Sequence, residues 1–326
     1  MAEGRKNVPD SGVAPAILTK GLTKYYRRVL GIQELDLEVH QGELFGFLGP
    51  NGAGKSTTIQ LLMGFLRPTE GSARVLGSDP WTEGTRVRAE IGFVPDAPAL
   101  YENLTGRQVL DYLGRLQNKP SSRRGEVLER LQLQERDLAR PVRGYSRGMR
   151  QKLALTQALQ HDPRLLVLDE PTEGLDPLMQ QAVFGLLRDL RADGRTIFMS
   201  SHILSDVERL CDRVGIVRAG RLVALEGVEA LRRRQIRHMQ VTLKPAASDP
   251  ADIVLDSFAG VPGVLSIERN GTAWHLKVQG EAGPILQVLA RLPVEDLVYE
   301  PAHLEDAFLE FYGAAVKGQT LHGKPD

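Results

Sequence analysis

Cysteine is nearly absent from this chain: Cys211 stands alone among 326 residues. One cysteine excludes an intrachain disulfide and a cysteine-cluster metal site, and it fits a reducing compartment. Excess charge of one sign is missing too, since Lys plus Arg and Asp plus Glu both number 41. With no bulk field to steer the chain onto nucleic acid or anionic lipid, its partners have to be inferred from sites. No stretch approaches the roughly 18 consecutive apolar residues of a membrane span. The first residues also lack a signal peptide's apolar core, so a soluble, cytoplasmic chain is expected. Met1 to Pro15 are polar and without periodicity, which predicts a disordered leader. The length is enough for two ordinary domains.

What is present begins with Gly49-Pro50-Asn51-Gly52-Ala53-Gly54-Lys55-Ser56-Thr57, which fills every fixed position of G-x-x-x-x-G-K-[ST]. Both flanks suit that pattern. Glu43 to Leu48 is an apolar run of strand length, and Ile59, Leu62, Met63 and Leu66 recur on one helix face. Gly49, Gly52 and Gly54 remove side chains that would keep the backbone from wrapping a phosphate, so N–H groups and a helix N-terminus can face the anion. Lys55 adds a point charge near the β/γ-phosphates, and the Ser56 hydroxyl is a Mg²⁺ ligand. A nucleoside triphosphate site is predicted. The alternative is an ordinary Gly-rich turn before a core helix.

Around this loop the chain reads as a packed domain. Ala16-Ile17-Leu18 opens it, and Leu35, Leu37 and Val39 alternate with Asp36 and Glu38 as a half-buried strand does. Tyr25-Tyr26 lies between; an aromatic there either stacks on a purine or simply packs. Ile91 to Val94 reads as a buried strand leading into a Pro95-Asp96-Ala97-Pro98 loop. Thr105 caps a helix carrying Val109, Leu110, Leu113 and Leu116, a second helix carries Val127, Leu128 and Leu131, and Arg123-Arg124 reads as a solvated face. Ser146 is placed to cap an apolar helix through Leu153, Ala154, Leu155, Ala158 and Leu159. Its start is an anion site only in the weak sense that every helix start is.

Leu165 to Leu168 is a continuous apolar run, the mark of a parallel strand covered on both faces, and it ends in Asp169-Glu170. Sheets of this kind place ligands at such carboxyl ends. Asp169 suits the Mg²⁺ shell and Glu170 suits the polarisation of an attacking water; without the phosphate loop they would be two acids opening a turn before Pro171. A further strand, Arg195 to Ser200, leads to Ser201-His202, where His202 either bonds a γ-phosphate or is structural.

Together these motifs resemble the nucleotide-binding subunits of ATP-binding cassette transporters over about residues 16–230. The resemblance implies an α/β fold: a P-loop NTPase cassette with a mixed sheet and an inserted helical subdomain over about residues 97–160. It implies ATP and Mg²⁺, with Tyr26 as the adenine-stacking aromatic, Asp169 ending the magnesium strand, Glu170 as catalytic base and His202 as switch histidine. Ser146 to Arg150 looks like the family signature, with Ser146 and Gly148 approaching phosphate, and Gly174-Leu175-Asp176 looks like the loop crossing the dimer. Two departures stand out. Arg147 and Met149 replace the second and fourth residues of Ser-Gly-Gly-Gln, and Asp96 stands where a glutamine belongs. An aspartate still offers oxygen to Mg²⁺, but it adds negative charge near phosphate and loses a donor.

Beyond a hairpin turn at Gly220-Arg221, the short run Arg232-Arg233-Arg234 with Arg237 reads as a linker or solvated helix face. Residues 231–326 form a second unit. Its expected order is strand (Met239 to Leu243), helix (Ala251 to Ala259), strand (Val264 to Arg269), an Asn270-Gly271 turn, strand (Ala273 to Val278), helix (Pro284 to Leu292) and strand (Glu295 to Tyr299). That order predicts a small α+β, ferredoxin-like C-terminal domain. The segment from His303 to Glu310 resembles the tail of cassette subunits from bacterial drug-resistance and sodium-export systems, which points to export. The expectation is an ATPase that pairs as a homodimer or heterodimer and drives a separate transmembrane permease from the inner face of the membrane, without nucleic acid. The rival is a soluble cassette protein acting on ribosomes or DNA. Against it stand a single phosphate loop and the lack of sustained heptads; a small-molecule P-loop kinase would leave Ser146 to Gln151 and His202 unexplained.

Overall fold

Ile17–Tyr26 (β1) and Val29–Val39 (β2) pair antiparallel, with Ile17 opposite Val39 and Tyr26 opposite Val29. The expected alternation holds, since Leu35, Leu37 and Val39 are buried and Asp36 and Glu38 exposed. These strands belong to a computed structural model that describes residues 14–234, 236–244, 257–258 and 260–299. Most of the expected leader and the segment from His303 to Glu310 lie outside the described residues. The chain divides into two units between Leu225 and Glu226.

In the first unit, Leu44–Leu48 (β3) leads into the helix Lys55–Leu62 (α1), and Glu70–Val75 (β4) returns to the free side of β1, giving a sheet in the order β2-β1-β4. No periodicity announces β4, because Glu70, Gly71 and Ser72 are poor strand formers and tertiary pairing makes the choice. Gly84–Ala89 (α2) precedes Ile91–Val94 (β5). Four helices follow before the next strand: Gly106–Gln117 (α3), Arg124–Arg130 (α4), Glu135–Leu138 (α5) and Arg147–Leu159 (α6). Then come Leu165–Asp169 (β6), Pro177–Ala192 (α7), Thr196–Ser201 (β7), Leu204–Leu210 (α8), Arg213–Arg218 (β8) and Arg221–Gly227 (β9).

The second sheet runs β5-β6-β7-β3-β8-β9, parallel from β5 to β8. Every residue of β3, β6 and β7 is buried, which is why those segments read as unbroken apolar runs rather than alternations. The β8–β9 turn is Ala219-Gly220, both at positive φ, as a two-residue hairpin requires. Ile17, Leu22 and Leu37 share one core with Phe45, Phe47, Val167 and Phe198, so the antiparallel and parallel sheets pack on a common interior.

The helices between β5 and β6 close on a smaller core of Val109, Leu110, Leu133, Leu138, Val142, Tyr145 and Leu153. Thr105 caps α3 in a reciprocal box with Gln108. Two expectations fail here. Leu116 lies outside the core, 64% exposed. Arg123 and Arg124 are not a solvated face: Arg123 pairs with Asp162 at 3.0 Å and Asp193 at 2.5 Å, while Arg124 holds Asp111 and donates to the Gln160 side chain at 2.8 Å. Long basic side chains at helix ends reach acids and carbonyls of neighbouring elements, which the local charge pattern cannot reveal.

In the second unit, Val228–Arg234 (α9) precedes Ile236–Leu243 (β10), which begins three residues earlier than expected. Val264–Asn270 (β11), Ala273–Gln279 (β12), Gly283–Leu289 (α10) and Val294–Tyr299 (β13) follow. The sheet order is β11-β12-β10-β13, antiparallel throughout. Met239, Val241, Trp274, Leu276 and Ile285 form its core. Most of the expected helix from Ala251 to Ala259 lies outside the described residues. Arg237 is not a solvated cation, because its guanidinium lies 5.6 Å from the centre of the Tyr299 ring and donates to its hydroxyl at 3.2 Å.

Candidate nucleotide site

Four neighbouring strands deliver the site. In the order β5, β6, β7, β3, their carboxyl ends lead into Pro95-Asp96, Asp169-Glu170, Ser201-His202 and Gly49-Pro50. Ligand sites of parallel sheets lie at this edge. Here it opens into a cavity of about 550 Å³, lined by Tyr26, Pro50, Asn51, Gly52, Gly54, Lys55, Ser56, Thr57, Asp96, Asp169, Glu170 and His202 among the expected residues. Val29, Leu30, Gly31 and Glu173 also line it, and nothing in the sequence pointed to them.

Two of the loop's glycines answer to contacts within the protein itself. A Cβ on Gly49 would fall 2.4 Å from the Val217 carbonyl oxygen of β8, so Gly49 is a packing requirement and sits behind the cavity wall with buried Ala53. Gly54 has φ +109° and lies against Gly31 and Ile32. Thr58 N–H and hydroxyl both donate to the Gly54 carbonyl, at 2.9 and 3.0 Å, and tie the first turn of α1.

Lys55 is 6% exposed. Its ammonium donates to the Gly49 carbonyl at 2.7 Å and stands 3.3 Å from Glu170 Oε1. That carboxylate oxygen is buried and accepts no hydrogen bond, while Oε2 lies 3.0 Å from His202 Nδ1 and 3.4 Å from the His202 amide. Glu170 itself has φ +48°, a left-handed backbone uncommon for a side-chain-bearing residue and characteristic of functional turns. Ser200 fixes both acids: its hydroxyl donates to Asp169 Oδ1 at 2.5 Å and accepts from the Glu170 amide at 3.1 Å. This role of Ser200 escapes sequence reading, since a serine inside a buried strand carries no motif.

Tyr26 is 42% exposed, its hydroxyl 3.4 Å from Thr57 Oγ1, and a Cβ on Gly31 would press to 2.9 Å from its ring. A partly exposed ring that lines the cavity suits stacking. Asp96 and Glu173 line the cavity together, and each carboxyl acts on the other. Burial first, then Glu173 and the other nearby carboxylates, raises the Asp96 carboxyl above its ordinary range, whereas Arg147 and then Asp96 hold Glu173 low.

Ser146, Gly148 and Asp176 do not line the cavity of their own chain. Ser146 caps α6, its hydroxyl accepting from the Met149 amide at 3.2 Å, and Asp176 caps α7, accepting from the Met179 amide at 3.0 Å. Among the described residues a Cβ on Gly148 would meet nothing closer than 3.5 Å, so none of their contacts demands glycine there.

The donors suit a triphosphate carrying a divalent cation. Ser56 and Asp169 offer hard oxygens, and Glu170, whose Oε1 accepts no hydrogen bond, lines the same cavity. Among the described residues no three His, Cys, Asp or Glu side chains converge as a metal cage, so a cation here would share its shell with phosphate. No helix among the described residues is long and apolar enough to cross a membrane.

Residues 32–173 match the family model described as ABC transporter. The chain is 32% identical over 306 residues to the bacitracin transport ATP-binding protein BcrA of Bacillus licheniformis, covering 93% of this chain and 99% of that protein. It is 35% identical to the Nod factor export ATP-binding protein I of Mesorhizobium japonicum, covering 96% of this chain and 91% of the relative. Among solved structures, an ATP-binding subunit of an ABC transporter superposes with a TM-score of 0.63 at 31% identity, over 67% of this chain and 92% of the other. A dimeric cassette in a post-hydrolysis state with ADP and Pi gives a TM-score of 0.59 at 25% identity, over 65% of this chain and 98% of its own. With the cavity at the sheet edge and relatives matched along almost their whole length, the chain belongs to the ABC transporter family as an ATP-binding, ATP-hydrolysing subunit.

Proposed function

We propose that two such cassettes close around ATP, each nucleotide held between the phosphate loop of one protomer and the Ser146 end of α6 from the other, and that closure drives a separate membrane permease in export. The observation that carries this reading is that Ser146, Gly148 and Asp176 stand off the cavity of their own chain while no contact among the described residues requires glycine at 148. A helix N-terminus without a ligand of its own is a donor set for a neighbour's phosphate. The dimeric cassette with ADP and Pi among the similar structures supports the same arrangement.

In this reading the Gly49 to Thr57 loop and Lys55 hold the phosphates and Tyr26 stacks on the base. Glu170 orients the attacking water, and His202 holds the Glu170 carboxylate and reaches toward the γ-phosphate. Mg²⁺, held by Ser56, Asp169 and Asp96, would neutralise phosphate charge. The direction of transport follows the bacitracin and Nod factor relatives. The place of action is the inner face of the membrane, reached through the permease. The C-terminal unit is an accessory ferredoxin-like domain, a reading supported by its antiparallel order β11-β12-β10-β13. A ribosome- or DNA-acting cassette is the weaker reading, as the named relatives are transport and export subunits.

The test is a mixed dimer of Lys55→Ala and Ser146→Arg chains, purified through two tags. One site then carries both lesions and the other neither, so single-turnover hydrolysis returns although each homodimer is dead. No recovery, with an active parental monomer, overturns the shared site.

A further inference from the structure

The nucleotide cavity carries more acid than its cations balance. Asp96, Asp169, Glu170 and Glu173 all line it, against Lys55 and His202. The Lys55 ammonium and the His202 imidazole are both directed at Glu170, at 3.3 and 3.0 Å, and Asp169 is held by the Ser200 hydroxyl. Before any cation arrives with the nucleotide, Asp96 and Glu173 line the cavity without either group directed at them, and a polyphosphate adds further negative charge beside them.

Their counter-charge comes from outside the cavity. Arg147 Nη2 lies 2.8 Å from Glu173 Oε1. The arginine stem lies along Gly174, where a Cβ would fall 2.7 Å from Arg147 Cδ and 2.9 Å from Nε, so a side chain at 174 would displace the guanidinium. Helix preference does not account for Arg147. It is the first residue of α6, and a cation in the first turn opposes the helix dipole. Nor does stability, since the pair is partly exposed, at 62% and 38%, and exposed ion pairs contribute little to folding. A locally unfavourable residue kept in place by a specific partner marks a functional constraint.

We propose that Arg147 is a positioning residue for the nucleotide site of its own protomer: pairing with Glu173, it offsets the carboxyl pair that Glu173 forms with Asp96 and so allows an acid at position 96 beside a polyphosphate. In this role Arg147 acts through Glu173 and not on the nucleotide or the reacting atoms. Asp96 and Arg147, one residue from each of the two departures in the sequence, are then one compensated feature. The proposal rests on the cavity being the ATP site.

The experiment is a double-mutant cycle on the full chain, reading KM for ATP, kcat, and affinity for a fluorescent ATP analogue without turnover. Arg147→Gln keeps a stem against Gly174 and loses the charge. In the parental background it should weaken nucleotide affinity and raise KM about fivefold with kcat changed less than about twofold, within the range of coupled neighbouring charges. Arg147→Lys should restore most of the loss. In an Asp96→Gln or a Glu173→Gln background, the same Arg147→Gln change should alter affinity less than about twofold. An equal loss in all three backgrounds overturns the proposal, because Arg147 would then act directly, on a partner's phosphate or on helix packing. No loss in any background overturns it as well. A parental chain that neither binds nor hydrolyses ATP would instead remove the ATP reading, and the proposal with it.

Discussion

The Lys55 ammonium and the Glu170 carboxylate stand 3.3 Å apart, yet the short hydrogen bond of that ammonium, 2.7 Å, goes to the Gly49 carbonyl. An ion pair without hydrogen-bonding geometry is readily exchanged. In the proposed function, incoming phosphate would compete for Lys55 and leave Glu170 Oε1, which has no hydrogen-bond partner, to hold a water. The proposed roles of the two residues therefore separate binding from chemistry.

Lys55→Ala is expected to weaken ATP binding itself. Glu170→Gln should leave binding intact and slow hydrolysis by about 10²- to 10⁴-fold, the usual cost of removing a positioned base. Equilibrium binding of labelled ATP beside single-turnover rates checks both. Hydrolysis at the parental rate in Glu170→Gln would show that another group acts as base.

Gly49 and Gly52 should differ in what alanine costs. At Gly49 the new methyl meets the Val217 carbonyl at 2.4 Å, and overpacking of this kind destabilises by about 1–3 kcal/mol. At Gly52, φ is +78° but nothing lies within 4 Å, which leaves backbone strain of about 1–2 kcal/mol. Urea unfolding should also show Gly49→Ala disturbing β8 by hydrogen exchange at Val217, and Gly52→Ala sparing it.

His161 predicts acid sensitivity. It is 4% exposed, and neither ring nitrogen meets a partner in hydrogen-bonding geometry, the backbone at Ile91 exerting only a weak raising influence. Burial, and then the charge of Lys119, lowers its pKa below the ordinary 6.5. The neutral ring is favoured by the fold, so its contribution to stability is complete above about pH 6.5 and falls away as pH drops below that value. Urea midpoints between pH 7.5 and pH 5 should decline more steeply for the parental chain than for His161→Leu. Parallel slopes would mean that other groups carry the acid response.

A chain ending at Glu229 should fold and bind ATP, because the division between Leu225 and Glu226 leaves the first unit its own core. Circular dichroism and nucleotide titration of that shortened chain decide the point. Aggregated or nucleotide-blind protein would mean that the second unit completes the first.

Local chemistry determined much of this protein in advance. Gly49 to Thr57 announced a glycine-rich turn between a strand and a helix, Leu165 to Leu168 announced a strand buried on both faces, and Thr105 and Ser146 announced their helices, because caps and periodicity act over a few residues. Tertiary structure alone decided the rest. The order β5-β6-β7-β3 brings Asp96, Glu170 and His202 from distant parts of the chain to the same cavity as Lys55, and parallel pairing across long crossovers has no local signal. The reach of Ser200 to both acids, the partnering of Arg147 with Glu173, and the Val217 carbonyl that forbids a side chain at Gly49 are contacts between segments whose sequences do not mention each other. Residue type states what a side chain is able to do; its neighbours across the sheet determine which of those things it does.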